Sequence, residues 1–135
     1  MTLFVTCAAY IAVCVTLMLG DSLWLGVIAK NFFKSHLGAL LREEFVWWAA
    51  ILFYLLFAVG IIYFAVLPAV KEGAMLRALS GGALFGFMAY MAYDLTNYAT
   101  LNNWPIGIIL PDILWGTVIS GIAAVVGFLA SRLVG

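Results

Sequence analysis

Apolar residues fill four long stretches of the chain, 3–29, 45–67, 78–97 and 112–130, with polar residues gathered between them. Only Asp21 interrupts the first stretch and only Asp94 the third, while Asp112 stands at the start of the fourth. A helix crosses the hydrocarbon layer with about 20 apolar residues, so each stretch predicts one spanning helix. The expected fold is all-α, a single membrane domain over residues 1–135 built as a four-helix bundle. A spanning β-barrel needs strands of alternating polarity, and runs such as residues 50–57 show none. Pro68 is expected to close the second span and Pro111 to precede the fourth, places where a missing backbone N–H is tolerated.

The connections carry their own patterns. In residues 30–44, Phe33, Leu37, Leu40 and Leu41 recur at helical spacing opposite Lys30, Lys34 and Arg42, which predicts a short amphipathic helix in the interface between spans one and two, or else the frayed ends of two long spans. The connection at residues 68–77 carries Lys71, Glu72 and Arg77. The third, residues 98–111, is uncharged, and Asn102, Asn103, Trp104 and Pro105 mark a turn at headgroup depth. The first span lacks the basic leader of a secretory signal and runs apolar past a cleavage-sized core, so it is expected to be retained. Cys7 and Cys14, seven positions apart on that helix, are about 10 Å apart by helical rise, too far for a disulfide.

Composition agrees: of 135 residues 67% are hydrophobic and 9% charged, against about 25% charged in soluble domains. The chain has no room for an extramembrane catalytic domain, so function is expected inside the bundle or at its rims. Zero net charge without a basic run argues against nucleic acid. Basic residues tie across the membrane, Lys30, Lys34 and Arg42 on one side against Lys71, Arg77 and Arg132 on the other, so the positive-inside rule leaves orientation open and permits insertion both ways.

A carboxylate inside a span costs about 2.5 to 3.5 kcal/mol on insertion scales, so Asp21, Asp94 and Asp112 need a reason. Spans one and three run in the same direction and carry Asp21 and Asp94 late, while span four returns with Asp112 at its head. All three are therefore expected at one rim, with the Glu43 and Glu44 pair, Trp47, Trp48 and Trp104 on the same side. Steps of four back from Asp94 give Tyr90, Gly86, Gly82 and Ala78. Steps of four on from Asp112 give Gly116, Ser120 and Ala124, with Gly127 beside them. Such small-residue faces let helices approach closely, within the bundle or between copies as a homo-oligomer. In span one the expected inward stripe is Cys7, Tyr10, Cys14, Leu17, Asp21 and Trp24. Span two, with Phe53, Leu56, Phe57, Ile61 and Phe64, is expected to meet the most lipid.

For Asp112 the bland account is a helix N-terminal carboxylate after Pro111. Asp94 lies near a helix C-terminus, where the dipole opposes its charge, and needs a proton, a cation or a donor such as Asn97, Tyr10 or a tryptophan. Asp21 has Lys30 or Lys34 as candidate partners. Asp21 to Trp24 and Asp112 to Trp115 share an Asp-x-Leu-Trp core, in which the spacing sets each ring beside its own carboxylate. The segment Tyr93-Asp94-Leu95-Thr96-Asn97 packs a phenol, a carboxylate, a hydroxyl and an amide into one and a half turns.

That segment, followed by Ala99-Thr100-Leu101, Trp104-Pro105, Asp112 and Trp115-Gly116-Thr117, together with Asp21, Trp24-Leu25-Gly26 and Leu37-Gly38, resembles the bacterial four-helix membrane family catalogued as domain of unknown function 2177. The resemblance covers essentially the whole chain and implies four spans in a bacterial inner membrane. It implies no activity.

The expected function is binding of a small or lipid-like ligand in a polar pocket lined by Asp21, Trp24, Tyr93, Asp94, Asn97, Trp104, Asp112 and Trp115. Alternatives are a proton-coupled transporter of a cationic substrate, a magnesium-dependent enzyme acting on lipid, and a structural accessory subunit. Against the enzyme, no cofactor or paired metal motif is present, and no nucleophile lies near the lone His36, itself expected as a headgroup-level surface residue. Against the transporter, the acids cluster at a rim, whereas alternating-access sites tend towards the midplane.

Overall fold

A computed structural model describes residues 1–135. Four helices are long and apolar enough to cross a membrane: α1 (Leu3–Ile28), α3 (Trp47–Glu72), α4 (Met75–Thr100) and α5 (Ile106–Val134). A short α2 (Lys30–Leu37) lies between α1 and α3, as the amphipathic spacing predicts. Its Phe33 and Leu37, with Leu41 beyond it, turn onto the bundle and enclose a cavity of about 250 Å³ with Leu25, Tyr93, Trp104, Ile108 and Asp112. Lys30, Lys34 and Arg42 remain exposed.

Two boundaries differ from expectation at prolines. Helix α3 passes through Pro68 and ends only at Gly73, whose φ of 67° is the left-handed cap that glycine adopts freely. The helix widens to a π turn over Ile62–Val66, with Leu67 N–H donating to the Ile62 carbonyl, just before the proline. That wider turn relieves the clash a proline ring makes with the preceding turn. Pro111 does not precede α5 but sits inside its first α-helical turn, where the N–H would be unpaired anyway. The α4–α5 connection turns at Asn102 and Asn103 as predicted, with Asn103 at φ 33°.

Helix α5 is the spine, packed most extensively against α4 and next against α1. The predicted faces of α4 and α5 meet each other. Ala78, Gly82, Gly86 and Asp94 are buried on α4, opposite buried Gly116, Ser120 and Ala124 on α5. A Cβ at Gly86 would strike the Gly116 carbonyl and Ser120, and one at Gly116 would enter the Tyr90 ring. These faces are thus occupied within one chain.

The inward face of α1 is rotated from the expected one. Its buried residues are Val5, Ala9, Val13, Leu17 and Asp21, whereas Cys7 is exposed and Cys14 half-buried, both as free thiols. In a helix apolar all round, polarity offers no contrast to choose between neighbouring faces. Helix α3 divides in two. From Trp47 to Leu56 no residue is buried, while Phe57, Ala58, Ile61, Ile62, Ala65, Val66 and Ala69 join the core. Phe53, Leu56 and Phe64 do face outward as expected, but Phe57 and Ile61 do not. The first half of α3 therefore stands off the bundle and leaves a crevice on each side.

Candidate functional site

All three span aspartates lie at the end of the bundle where α3 stands off. Asp21, on the last α-helical turn of α1, is 9% exposed. It receives two short hydrogen bonds, from the Tyr54 hydroxyl at 2.6 Å and from Trp115 Nε1 at 2.7 Å. One carboxylate so joins α1, α3 and α5. The expected partners Lys30 and Lys34 play no part, since the one ion pair in the chain is Arg77 with Glu72 at the opposite rim. A buried carboxylate is stabilised by charge-assisted hydrogen bonds as well as by a cation, and a phenol and an indole suffice here.

The two Asp-x-Leu-Trp segments work across helices, contrary to the expected pairing of each ring with its own carboxylate. Trp115 reaches Asp21 on α1, and the Trp24 ring lies flat against Trp115 with centroids 4.7 Å apart and planes 3° from parallel. Trp24 itself keeps the α-helical register, and just beyond it α1 loosens into a π turn over Trp24–Ile28.

Asp94 is completely buried, and neither of its carboxylate oxygens accepts a hydrogen bond from a donor. Neither Asn97 nor Tyr10 supplies one; the Tyr10 hydroxyl donates to the Leu55 carbonyl. The neighbour of Asp94 is the Asp112 carboxyl across the α4–α5 contact. Asp112 is not the N-cap, because α5 begins earlier and the N-cap of its α-helical part is Ile108; it lies in the first turn, still within the favourable end of the helix dipole. Like charges this close repel strongly away from water, so the pair calls for one positive charge, a shared proton or a cation.

Asp112 also borders a crevice of about 330 Å³ between α3 and α4, whose other walls are Phe53, Ala89, Tyr90 and Tyr93. Tyr93 is 54% exposed and packs edge-on against Trp104, centroids 5.6 Å apart at 88°. Tyr90, on the same wall, fills the space beside Gly116 of α5 and meets Phe57 of α3 edge-on, centroids 6.4 Å apart. On the other side of α3, Asp21, Ser22 and Tyr54 border a second crevice of about 490 Å³, otherwise largely apolar, with Met18, Leu25, Phe45, Trp47 and Ile51.

The eight predicted residues therefore fall into two adjoining groups. Asp21, Trp24 and Trp115 form one, and Tyr93, Asp94, Trp104 and Asp112 form the other; Asn97 lies half-buried a turn beyond, without a hydrogen bond to Asp94. Sequence reasoning did not assign site roles to Tyr54, Tyr90 and Phe53. Tyr90 carried a signal in its four-residue step from Asp94, whereas Tyr54 is one aromatic among many on a span that reads as lipid-facing. His36 is half-buried against the start of α5, its ring 2.9 Å from where a Cβ on Gly107 would stand. No three carboxylate, histidine or cysteine groups stand close enough to hold a metal ion together.

Fold and rim define a four-span helical membrane protein whose polar residues gather at one end. The chain belongs to the family described as "Predicted membrane protein (DUF2177)", whose model matches residues 6–129, nearly its whole length. No curated protein and no solved structure matches it.

Proposed function

We propose that this protein binds a small or lipid-like molecule at its aspartate rim, in a bacterial inner membrane. The observation that carries the reading is the crevice between α3 and α4, apolar on most of its wall, with the Asp112 carboxyl as its one charged group. Pockets of this kind use an apolar body for affinity and a few placed polar groups for orientation. Phe53 and Tyr93, 43% and 54% exposed, leave its side open towards lipid, so a chain-bearing molecule can enter from the bilayer. Below the rim, Leu17, Ile61, Ile119 and Phe128 fill the interior as one packed core, which favours binding over conduction through the bundle.

The test is photolabelling with a diazirine-bearing hexadecanol in liposomes. Adducts are expected to concentrate on α3 and α4 around Phe53, Ala89 and Tyr93. Labelling spread evenly over the lipid-facing sides of all four helices would overturn the proposal.

A further inference from the structure

We infer that the crevice between α3 and α4 takes an organic cation, a lipophilic ammonium whose head rests on Phe53, Tyr90 and Tyr93 with its charge facing Asp112. This deepens the binding reading above and rests on it. Three of the five lining residues are aromatic, and the only charged one is a carboxylate. Ring faces attract cations through their quadrupole, and more strongly where water is excluded. An anion would meet Asp112 with no basic residue in the wall. A polyol needs several converging donors and acceptors, and this wall offers two phenols and one carboxyl.

Charge complementarity extends behind the wall. Asp94 is fully buried and receives no hydrogen bond, and Asp112 is its neighbour. The chain's own cations do not neutralise the pair: Lys30, Lys34 and Arg42 are exposed and unpaired, and the one ion pair lies at the opposite rim. At about 330 Å³ the crevice is at the small end of ligand sites, which run from about 300 to 1,000 Å³. It holds a head and the first methylenes, and the tail leaves past Phe53 and Tyr93 into lipid. The crevice beside Asp21 is larger, about 490 Å³, but both oxygens of its carboxylate are already engaged, by Tyr54 and Trp115. The cation is therefore assigned to the α3–α4 side.

The full chain is used in maltoside micelles, with Trp47 and Trp48 replaced by Phe, which leaves Trp24, Trp104 and Trp115 at the aspartate rim, Trp104 in contact with Tyr93 of the crevice. Its fluorescence is quenched by 12-bromododecyltrimethylammonium or by the uncharged 12-bromododecanol. The expected result is saturable quenching by the ammonium at lower mole fraction than the alcohol. Asp112→Asn is expected to weaken the ammonium about tenfold or more while leaving the alcohol within about twofold. Should Asp112→Asn fail to assemble, Tyr93→Leu removes one ring face and is expected to weaken the ammonium about threefold to tenfold. Equal saturable quenching by both compounds, indifferent to Asp112, would overturn the cation assignment and leave the binding reading intact. No saturable quenching by either would overturn both.

Discussion

At the scale of single residues, the three span aspartates have different work. Asp21 is satisfied by Tyr54 and Trp115, and its role is to hold the free half of α3 and the head of α5 onto α1. Removing it leaves two donors unpaired near the core, so Asp21→Ala is expected to destabilise by about 1.5 to 3 kcal/mol, the range for hydrogen bonds to charged groups. Tyr54→Phe removes one bond and leaves Trp115 in place, with an expected loss of about 1 kcal/mol, near the values measured inside membranes. Reversible unfolding in mixed micelles, followed by circular dichroism, measures both. Equal stability of Asp21→Ala and the parent would show that the carboxylate is not a strut. Asp94, by contrast, is fully buried and receives no hydrogen bond from a donor, and its neighbour Asp112 is half-buried on the wall of the crevice, which is why the proposed binding site lies beside them. Sequence alone marked all three as costly, but it did not separate the satisfied Asp21 from the Asp94 and Asp112 pair. That difference depends on a phenol 33 positions away and an indole 94 positions away.

At the scale of elements, helix contacts rest on small residues where backbones touch and on nothing where the helix faces lipid. Gly86 and Gly116 stand where an added methyl would meet the opposing backbone or the Tyr90 ring, whereas Gly26 has open space around its Cβ position. Gly86→Ala and Gly116→Ala are therefore expected to cost about 1 to 3 kcal/mol each through overpacking. Gly26→Ala is expected to be neutral or stabilising, by up to about 1 kcal/mol through reduced backbone freedom. The same unfolding measurement ranks the three, and a Gly26→Ala loss matching the other two would refute the packing account. The α4 face was legible beforehand because Ala78, Gly82, Gly86, Tyr90 and Asp94 contrast with bulky neighbours. The α1 face was not, since Val5, Ala9 and Val13 differ little from the residues around the rest of that helix. Helix ends at Pro68 and Pro111 were misplaced for a related reason: a proline forbids one hydrogen bond, and a widened turn or a first-turn position removes the need for it.

At the scale of the whole molecule, charge is balanced in number and uneven in kind. Asp21, Glu43, Glu44, Asp94 and Asp112 gather at the site end with Lys30, Lys34 and Arg42, and Glu72 lies at the other with Lys71, Arg77 and Arg132. With basic residues tied, a reporter fused at the C-terminus is expected on both sides of the membrane. Lys30→Gln with Lys34→Gln leaves Arg42 alone against Lys71, Arg77 and Arg132, and is expected to bring both termini predominantly to the cytoplasmic side. An unchanged reporter distribution would show that orientation is set by something other than these lysines. The sequence by itself determined that this is a four-span bundle, which rim holds the acids, and which faces of α4 and α5 meet, because insertion into hydrocarbon and close helix approach act on local composition. Only the tertiary structure decided that half of α3 stands away from the bundle, that Asp21 is bound to Tyr54 and Trp115, and that Asp112 opens onto an aromatic crevice. Those outcomes turn on how apolar surfaces pack against one another, and in a membrane the lipid-facing and protein-facing sides of a helix are both apolar, so composition carries too little contrast to specify them.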